Sequence, residues 1–334
     1  MVARPRLKEQ FRPLRRGHGR VQLGLDPAVG VVLEGLSEEE VQLLEHLDGS
    51  LDEVAATAWA ARRGIPAERV ATLLRTLRAH SLTVERPAHR FDLAGLAPAA
   101  RDALRADAAA LACAYRSPDD GYAVLGRRAR RQVVVCGTGG LPALLVQALR
   151  QAGVGHVLTG RYAGEEPPGQ RPPDLVVLTG VGAVAAEAAS PWLRGRVAHL
   201  PVVLHGTSAE VGPLVVPGTG PCLRCVDLTR TDHDPGWPAV LAQLTPTAVG
   251  PVAEASGETS LVFATAGLAA MTVLAALDGH PQHPGTSWRL GLPAPRVAEQ
   301  VWLRHPDCGC AGADAQGKQG PERGSARASA TMAG

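Results

Sequence analysis

Three features of the sequence predict an α/β protein in which a doubly wound, mostly parallel sheet follows a small α+β domain. An apolar run, Val133–Cys136, enters Gly137-Thr138-Gly139-Gly140 and leads into a helical segment at 141–151. Further strand-like runs follow at 156–158, 174–179 and 202–205, the alternation of a doubly wound sheet. Residues 20–86 read as a hairpin, three helices and a last strand. At 334 residues the chain has room for two domains, with three as the upper bound.

The stretch 1–19 is basic: seven Arg or Lys side chains up to Arg20 stand against Glu9 alone. It reads as a flexible arm, either solvated or docked to an acidic partner. Val21, Leu23 and Leu25 alternate with Gln22 and Gly24, the two-residue period of a strand. Asp26-Pro27 turns the chain, and Val29–Leu33 returns as its partner. Ser37-Glu38-Glu39-Glu40 has the form of a capping box, and Val41, Leu44 and Leu47 stripe the helix it starts. Ser50-Leu51-Asp52-Glu53 repeats the device ahead of Val54–Arg63, which Gly64 closes. Pro66 suits the first turn of a third helix carrying Val70, Leu73, Leu74 and Leu77. Ser81–Glu85 is the last strand. Hairpin, three helices and strand is the order of a winged-helix-type domain, here 20–86.

Residues 87–130 read as a helical connector: Ala99–Tyr115 is helix-prone, Ser117-Pro118-Asp119-Asp120-Gly121 breaks it, and Arg127–Arg131 is a basic run. The α/β domain takes 131–312. Within it Ser260–Leu277 is a long apolar helix ending at Asp278-Gly279, and Trp288–Leu292 and Ala298–Leu303 are two further strands. The polar Gly, Ala and Ser text of 313–334 predicts a disordered tail.

Composition excludes several activities. A net charge of +2 excludes bulk electrostatic attraction to nucleic acid or acidic lipid as the main activity. Aromatics are 3 % of the chain, too few for base-stacking platforms, so the cores must be built from Leu, Val and Ala. Lys8 and Lys318 are the only lysines, which leaves none between them to hold a phosphate or form a Schiff base. No run approaches the roughly 20 apolar residues of a membrane span. The basic first residues have no apolar stretch behind them, so no signal peptide is expected. The expectation is a cytoplasmic protein with no membrane partner.

Of six cysteines, Cys113 and Cys136 sit in helical and strand runs and read as buried small residues. The other four form two tight pairs, Cys222-Leu-Arg-Cys225 and Cys308-Gly-Cys310. Two such knuckles can close a tetrahedral zinc site with four thiolates and no open position, which makes the metal structural. Pro221, Gly220 and Gly309 supply the bends. A redox dithiol or a disulfide is the alternative, disfavoured in a cytosolic chain. His305 is a further candidate to replace one thiolate. Asp232, His233 and Asp234 read as turn and cap residues or as metal ligands, and Trp237 as an aromatic plug or a partner anchor.

A strand running into Gly137, Gly139 and Gly140 and then a helix has the form of a nucleotide-phosphate loop, with bare amides at a helix N-terminus. Several features accompany it: Ala152-Gly153-Val154-Gly155, Pro221-Cys222-Leu-Arg-Cys225, the helix at 260–277 and His305-Pro-Asp-Cys308-Gly-Cys310. Together with them, the stretch 131–312 resembles the ThiF/MoeB family, adenylating enzymes related to the ubiquitin-activating enzyme. The two-knuckle zinc site is the most specific part. The resemblance implies a Rossmann-like domain, a structural Zn2+, an ATP site and a habit of forming homodimers.

The resemblance fails where adenylation chemistry is needed. The family places an acidic residue after the second strand to hold the ribose, where this chain reads Val157-Leu158-Thr159-Gly160-Arg161. The family's phosphate-facing Asn and Arg have no counterpart in Tyr162–Arg171, although Arg161 is a candidate anion contact, and the catalytic lysine is missing. Leu178-Thr179-Gly180 stands where the magnesium-binding Asp would follow the third strand, and Asp174 reads as a turn or cap residue. Thr245–Gly250, the loop that carries a catalytic cysteine in some relatives, has none. The glycine loop therefore reads as vestigial, ATP is open but not favoured, and no catalytic residue is assigned.

A degenerate domain of this kind behind a winged-helix unit resembles the partner proteins of YcaO cyclodehydratases, which make azole-modified peptides. In those the N-terminal unit is PqqD-like and binds the leader of a precursor peptide by strand addition. The resemblance places the peptide between the second strand, at Val31 and Leu33, and the third helix, at Val70, Leu73, Leu74 and Leu77, residues that a small core also requires. Two other classes compete. One is an adenylyltransferase with arginine in place of the missing lysine. The other is a winged-helix DNA-binding regulator using Arg69, Arg75 and Arg78, against which eleven acidic and seven basic side chains in 21–90 make a poor footprint for nucleic acid.

Overall fold

The computed structural model describes residues 4–84, 96–160, 171–245 and 254–310. They group into two compact units, one of Met1–Gln132 with Gln147–Val157, the other of Val133–Val146 with Leu158–Gly334. The proposed disordered tail lies outside the described residues.

The first unit is folded almost from its start. Where a flexible arm is expected, β1 (Arg6–Leu7) pairs antiparallel with β5 (Thr83–Val84), and a 3-10 turn spans Glu9–Phe11. β2 (Pro13–Arg15) then joins a three-stranded antiparallel sheet, order β2-β3-β4, with β3 (Arg20–Leu23) and β4 (Val31–Glu34). Charge counting misses the reason, which is that Phe11 is buried in the core and Lys8 is buried with its charge satisfied. Lys8 Nζ donates to Ala112 O at 2.8 Å and Ser117 O at 2.7 Å, carbonyls at the end of a later helix that have no intrahelical partner.

Three helices follow, α1 (Glu38–Glu45), α2 (Glu53–Ala61) and α3 (Ala67–Ala79). The Ser37 capping box is present in full, with Glu40 N–H donating to Ser37 Oγ and Ser37 N–H to Glu40 Oε2. At α2 the cap is Asp52, which accepts from Ala55 N–H at 2.8 Å. Ser50 belongs to the turn before it, donating its own N–H to Asp48 Oδ1. Val21, Leu23, Leu44, Leu74 and Leu77 are core residues here, with Cys113 beside them. The connector forms α4 (Pro98–Ala103), α5 (Arg105–Ala114) and α6 (Tyr122–Arg128). Gly121 starts α6 at φ +86°, where a Cβ would stand 1.9 Å from Ala108 O, so only glycine lets α6 lie this close to α5.

The second unit carries a seven-stranded sheet. Its elements in chain order are β6 (Gln132–Cys136), α7 (Gly140–Gln151), β7 (His156–Gly160), β8 (Leu175–Val181), α8 (Ala186–Arg194), β9 (Ala198–His205) and β10 (Ser208–Val211). Then come α9 (Leu223–His233), α10 (Trp237–Leu244), α11 (Thr259–Leu277), β11 (Thr286–Gly291) and β12 (Arg296–Val301). The order across the sheet is β12-β11-β10-β9-β8-β6-β7. β6, β8 and β9 run parallel, but β9 to β10, β10 to β11 and β11 to β12 are antiparallel. The sheet is therefore mixed rather than mostly parallel. The reversal comes at Gly206-Thr207, two residues too few for a crossover, with Gly206 at φ +54°.

α11 packs on β9, β10 and β11. It is long and apolar enough to cross a membrane by length and composition, contrary to the expectation that no run approaches this; 50 % of its apolar window is buried inside the fold. His199, in β9, is fully buried, with Nδ1 at 3.0 Å from Val197 O and Nε2 without a partner among the described residues. Burial holds its pKa down at about 4, against the lifting effect of the Val197 carbonyl.

Lys8→Met should take one donor from each of two carbonyls and cost about 2–3 kcal/mol, read as a lower urea midpoint at unchanged slope. His199 predicts a pH effect of definite sign. Below its ordinary pKa of about 6.5, the unfolded chain takes up a proton that the folded one refuses until about pH 4. Stability should fall across that window by up to about 3 kcal/mol, and His199→Gln should flatten this part of the pH profile of the urea midpoint.

Candidate functional site

Four cysteine sulfurs converge in the second unit. Cys222 is the N-cap residue of α9 and Cys225 lies in its first turn, while Cys308 and Cys310 follow β12. Cys222 Sγ lies 3.8 Å from Cys225 Sγ and 3.6 Å from Cys308 Sγ; Cys225 Sγ lies 3.5 Å from Cys310 Sγ. All four sulfurs are within 4.8 Å of one another. Around a tetrahedral ion with bonds of about 2.3 Å, sulfurs sit about 3.8 Å apart, so the donor set fits structural zinc. No disulfide links them, and all six cysteines of the chain are free thiols.

Burial pushes the Cys222 thiol up to about 11, with the neighbouring sulfurs adding to it, and drives Cys310 up as well. Burial acts on Cys225 too, but backbone hydrogen bonds from His305 and Cys222 and the sulfurs of Cys310 and Cys308 outweigh it and bring that thiol below its ordinary value. Thiols such as Cys222 and Cys310, held up without a cation, gain thiolate character when one binds.

The knuckles are braced on both sides. Arg304 Nε donates to Gly220 O at 3.1 Å. His305 Nε2 lies 2.8 Å from Asp232 Oδ2, and its Nδ1 accepts from Asp307 N–H at 3.1 Å. Both ring nitrogens are thus engaged, so His305 holds the loop and does not replace a thiolate. Nor do Asp232, His233 and Asp234 form a metal site: His233 Nδ1 turns to Thr229 O and Asp234 Oδ1 accepts from Gly236 N–H. Trp237 is the plug. Its Nε1–H donates to Asp227 Oδ1 at 3.2 Å, and Arg230 lies over both Trp237 and Trp302 at 5.0 and 5.3 Å. That guanidinium also meets buried Glu210 at 3.0 Å, which Arg289 approaches at 3.4 Å. A cavity of about 30 Å³ beside it, lined by Glu210, Asp227, Arg230 and Pro213 among others, has room for a water or two.

The glycine loop lies at the carboxyl ends of β6 and β8, the switch point of the parallel part of the sheet. Gly137 has φ +123°, and a Cβ there would stand 2.0 Å from Thr179 Oγ1. Thr179 is buried and donates to Cys136 O at 2.8 Å. Gly140 N–H donates to Ser256 Oγ at 3.2 Å and Leu141 N–H to Ala255 O at 2.9 Å, contacts that no periodicity or motif foretells. Asp174, just ahead of β8, is paired with Arg171 at 3.3 Å. Arg161 and 246–250 lie outside the described residues.

In the first unit, Val70, Leu73, Leu74 and Leu77 are all buried in the core, so as peptide-lining residues they offer almost no free surface. Val31 and Leu33 are half-buried against that core, and Val32 between them is exposed. Among the described residues β4 pairs on one side only, with β3, while β2 occupies the other edge of β3. Two of the helix arginines considered for nucleic acid are already in ion pairs, Arg69 with Glu40 at 2.5 Å and Arg78 with Glu53. The Arg69 guanidinium and the Ser37 N–H outweigh burial and hold the Glu40 carboxyl below its ordinary range.

The chain shares its fold with heterocyclase, MccB and PaaA chains. A heterocyclase solved with substrate and cofactor superposes with a TM-score of 0.63 at 18% identity, over 93% of this chain and 40% of that one. MccB of E. coli, solved with MccA-N7isoASN, gives 0.63 at 14% identity over 92% of this chain and 99% of MccB. PaaA gives 0.64 at 14% identity, covering 89% of this chain and 100% of PaaA. This chain therefore spans less than half of the heterocyclase and essentially all of the other two. No protein-family profile and no curated protein sequence matches it.

Elemental analysis of the purified chain should return one zinc per chain. Cys225→Ser should reduce that content and lower the melting temperature, and chelation of the wild-type chain should lower it in the same direction.

Proposed function

We propose that this chain is a non-catalytic partner protein that holds the leader of a precursor peptide and presents it to a YcaO-type cyclodehydratase for azoline formation. The observation that carries the reading is the shared fold: 93% and 92% of this chain superpose on part of two heterocyclase chains, the second of them TruD, covering 40% and 43% of those chains. The part of a heterocyclase that this fold corresponds to is then the part that holds the peptide, and the cyclodehydratase is its partner. The neighbours solved with a substrate or with MccA support a peptide as the second partner.

The chain's own contribution is positional. Among the described residues one edge of β4 is unpaired, and its backbone N–H and C=O groups can take an extended peptide as a further strand. Val32 provides exposed apolar surface beside that edge, while the four buried residues of α3 keep the strand in place from behind. Cys222, Cys225, Cys308 and Cys310 would hold zinc, whose chemistry here is structural, tying the segment after β12 to the start of α9.

Adenylation is the second reading, supported by the whole-length match to MccB, which was also solved with AMPCPP. Against it stands the absence of any lysine between Lys8 and Lys318. ATP–pyrophosphate exchange by the chain alone would decide for adenylation and against the partner reading.

Affinity capture of the tagged chain from its own cell should return a YcaO-type enzyme and one recurrent short peptide. Successive residues of an antiparallel edge strand point their N–H groups alternately to the partner strand and outwards. Of Val32→Pro and Leu33→Pro, one should therefore reduce peptide capture about ten-fold with little change in melting temperature, and the other should unpair β4 from β3. Peptide capture unchanged in both would refute the β4 assignment.

A further inference from the structure

The front of α7 has the sequence form of an anion cradle, yet its amides are taken. Gly140 N–H donates to Ser256 Oγ at 3.2 Å and Leu141 N–H to Ala255 O at 2.9 Å. Pro142 has no N–H to offer, and Ala143 N–H reaches back to Gly139 O at 3.4 Å. The contact is reciprocal, because Ala255 N–H donates to Thr138 O at 2.7 Å. Ala255 is fully buried.

The glycine pattern fits the same contact. Gly139 has φ +104°, and a Cβ there would stand 2.8 Å from Ala255 N and 2.9 Å from Ser256 Oγ. In a nucleotide loop such a glycine makes room for a phosphate. Here it makes room for the chain's own backbone.

The geometry points to an internal clasp: Ala255 and Ser256 occupy the phosphate position of the glycine loop as its permanent ligand and close it to ATP. This deepens the non-adenylating reading on which it rests, by assigning what fills the cradle in place of nucleotide. The carbonyl oxygen of Ala255 and the hydroxyl oxygen of Ser256 bring to the helix N-terminus the partial negative charge its dipole favours. They also satisfy donors that would otherwise need water or an anion. A triphosphate would have to break both hydrogen bonds and expose Ala255, with no lysine between positions 8 and 318 to compensate. The clasp also joins the start of α7 to the segment that leads into α11, so the loop glycines serve the fold.

The test follows amide hydrogen exchange at Gly140 and Leu141 in the full chain, with and without millimolar Mg·ATP. Both amides should be protected and unchanged by the nucleotide. Ser256→Ala should speed exchange at Gly140 about five-fold while sparing Leu141, and Ser256→Thr, which keeps the hydroxyl, should restore it. Gly139→Ala should lower the melting temperature without creating ATP binding. Wild-type amides that exchange at open-chain rates would overturn the clasp, and so would saturable Mg·ATP binding that alters exchange at either position. ATP binding that leaves both unaltered lies elsewhere and supports it. Peptide capture measured on the same variants separates the two proposals: failure of the clasp leaves capture intact, whereas failure of the partner reading shows as absent capture with both amides protected.

Discussion

The convergence of four cysteine sulfurs constrains the second unit more than any other contact. Cys222 and Cys225 stand at the start of α9, and Cys308 and Cys310 follow the last strand, yet the sulfurs lie within 4.8 Å of one another. The separations match the edges of a zinc–thiolate tetrahedron. The segment held between the two cysteine pairs includes β11 and β12, which add antiparallel beyond β10. The braces around the site, Arg304 to Gly220 and His305 to Asp232, hold the same loop with ordinary hydrogen bonds.

A second constraint is that buried backbone donors must be paired. At the front of α7 the chain meets it from within, through Ala255 and Ser256. The outer edge of β4, which is not buried, takes no further strand among the described residues. An edge of this kind is a template for pairing with another chain. The loop that resembles a ligand site is filled, and a short strand with no motif at all is open.

Much of this was legible in the sequence. The Ser37 capping box, the stripe of α3 and the strand Val133–Cys136 depend on local periodicity and cap chemistry, and the structure has all three. The cysteine cluster was legible because thiol spacing is itself the signal. The arm at 1–19 was misread because its charge hid Phe11 and Lys8, whose burial depends on a core and on carbonyls more than a hundred residues away. β10, α8 and α10 were missed because short or proline-containing segments carry too little periodicity to register, and α9 because its mostly polar sequence carries few apolar residues. Val70, Leu73, Leu74 and Leu77 posed a different difficulty, since apolar residues read alike whether they line a groove or fill a core.

By itself the sequence determined the α/β class, the three-helix unit, the four metal-binding candidates and the loss of a lysine for adenylation. These rest on local backbone preference and on which chemical groups are present. The tertiary structure alone decided that the sheet is mixed, that His305 braces the metal site rather than entering it, that the α3 leucines are core, and that Ala255 and Ser256 fill the glycine loop. Each of these depends on which distant oxygen or side chain reaches a given donor, and pairings between remote segments leave no periodic trace in the chain.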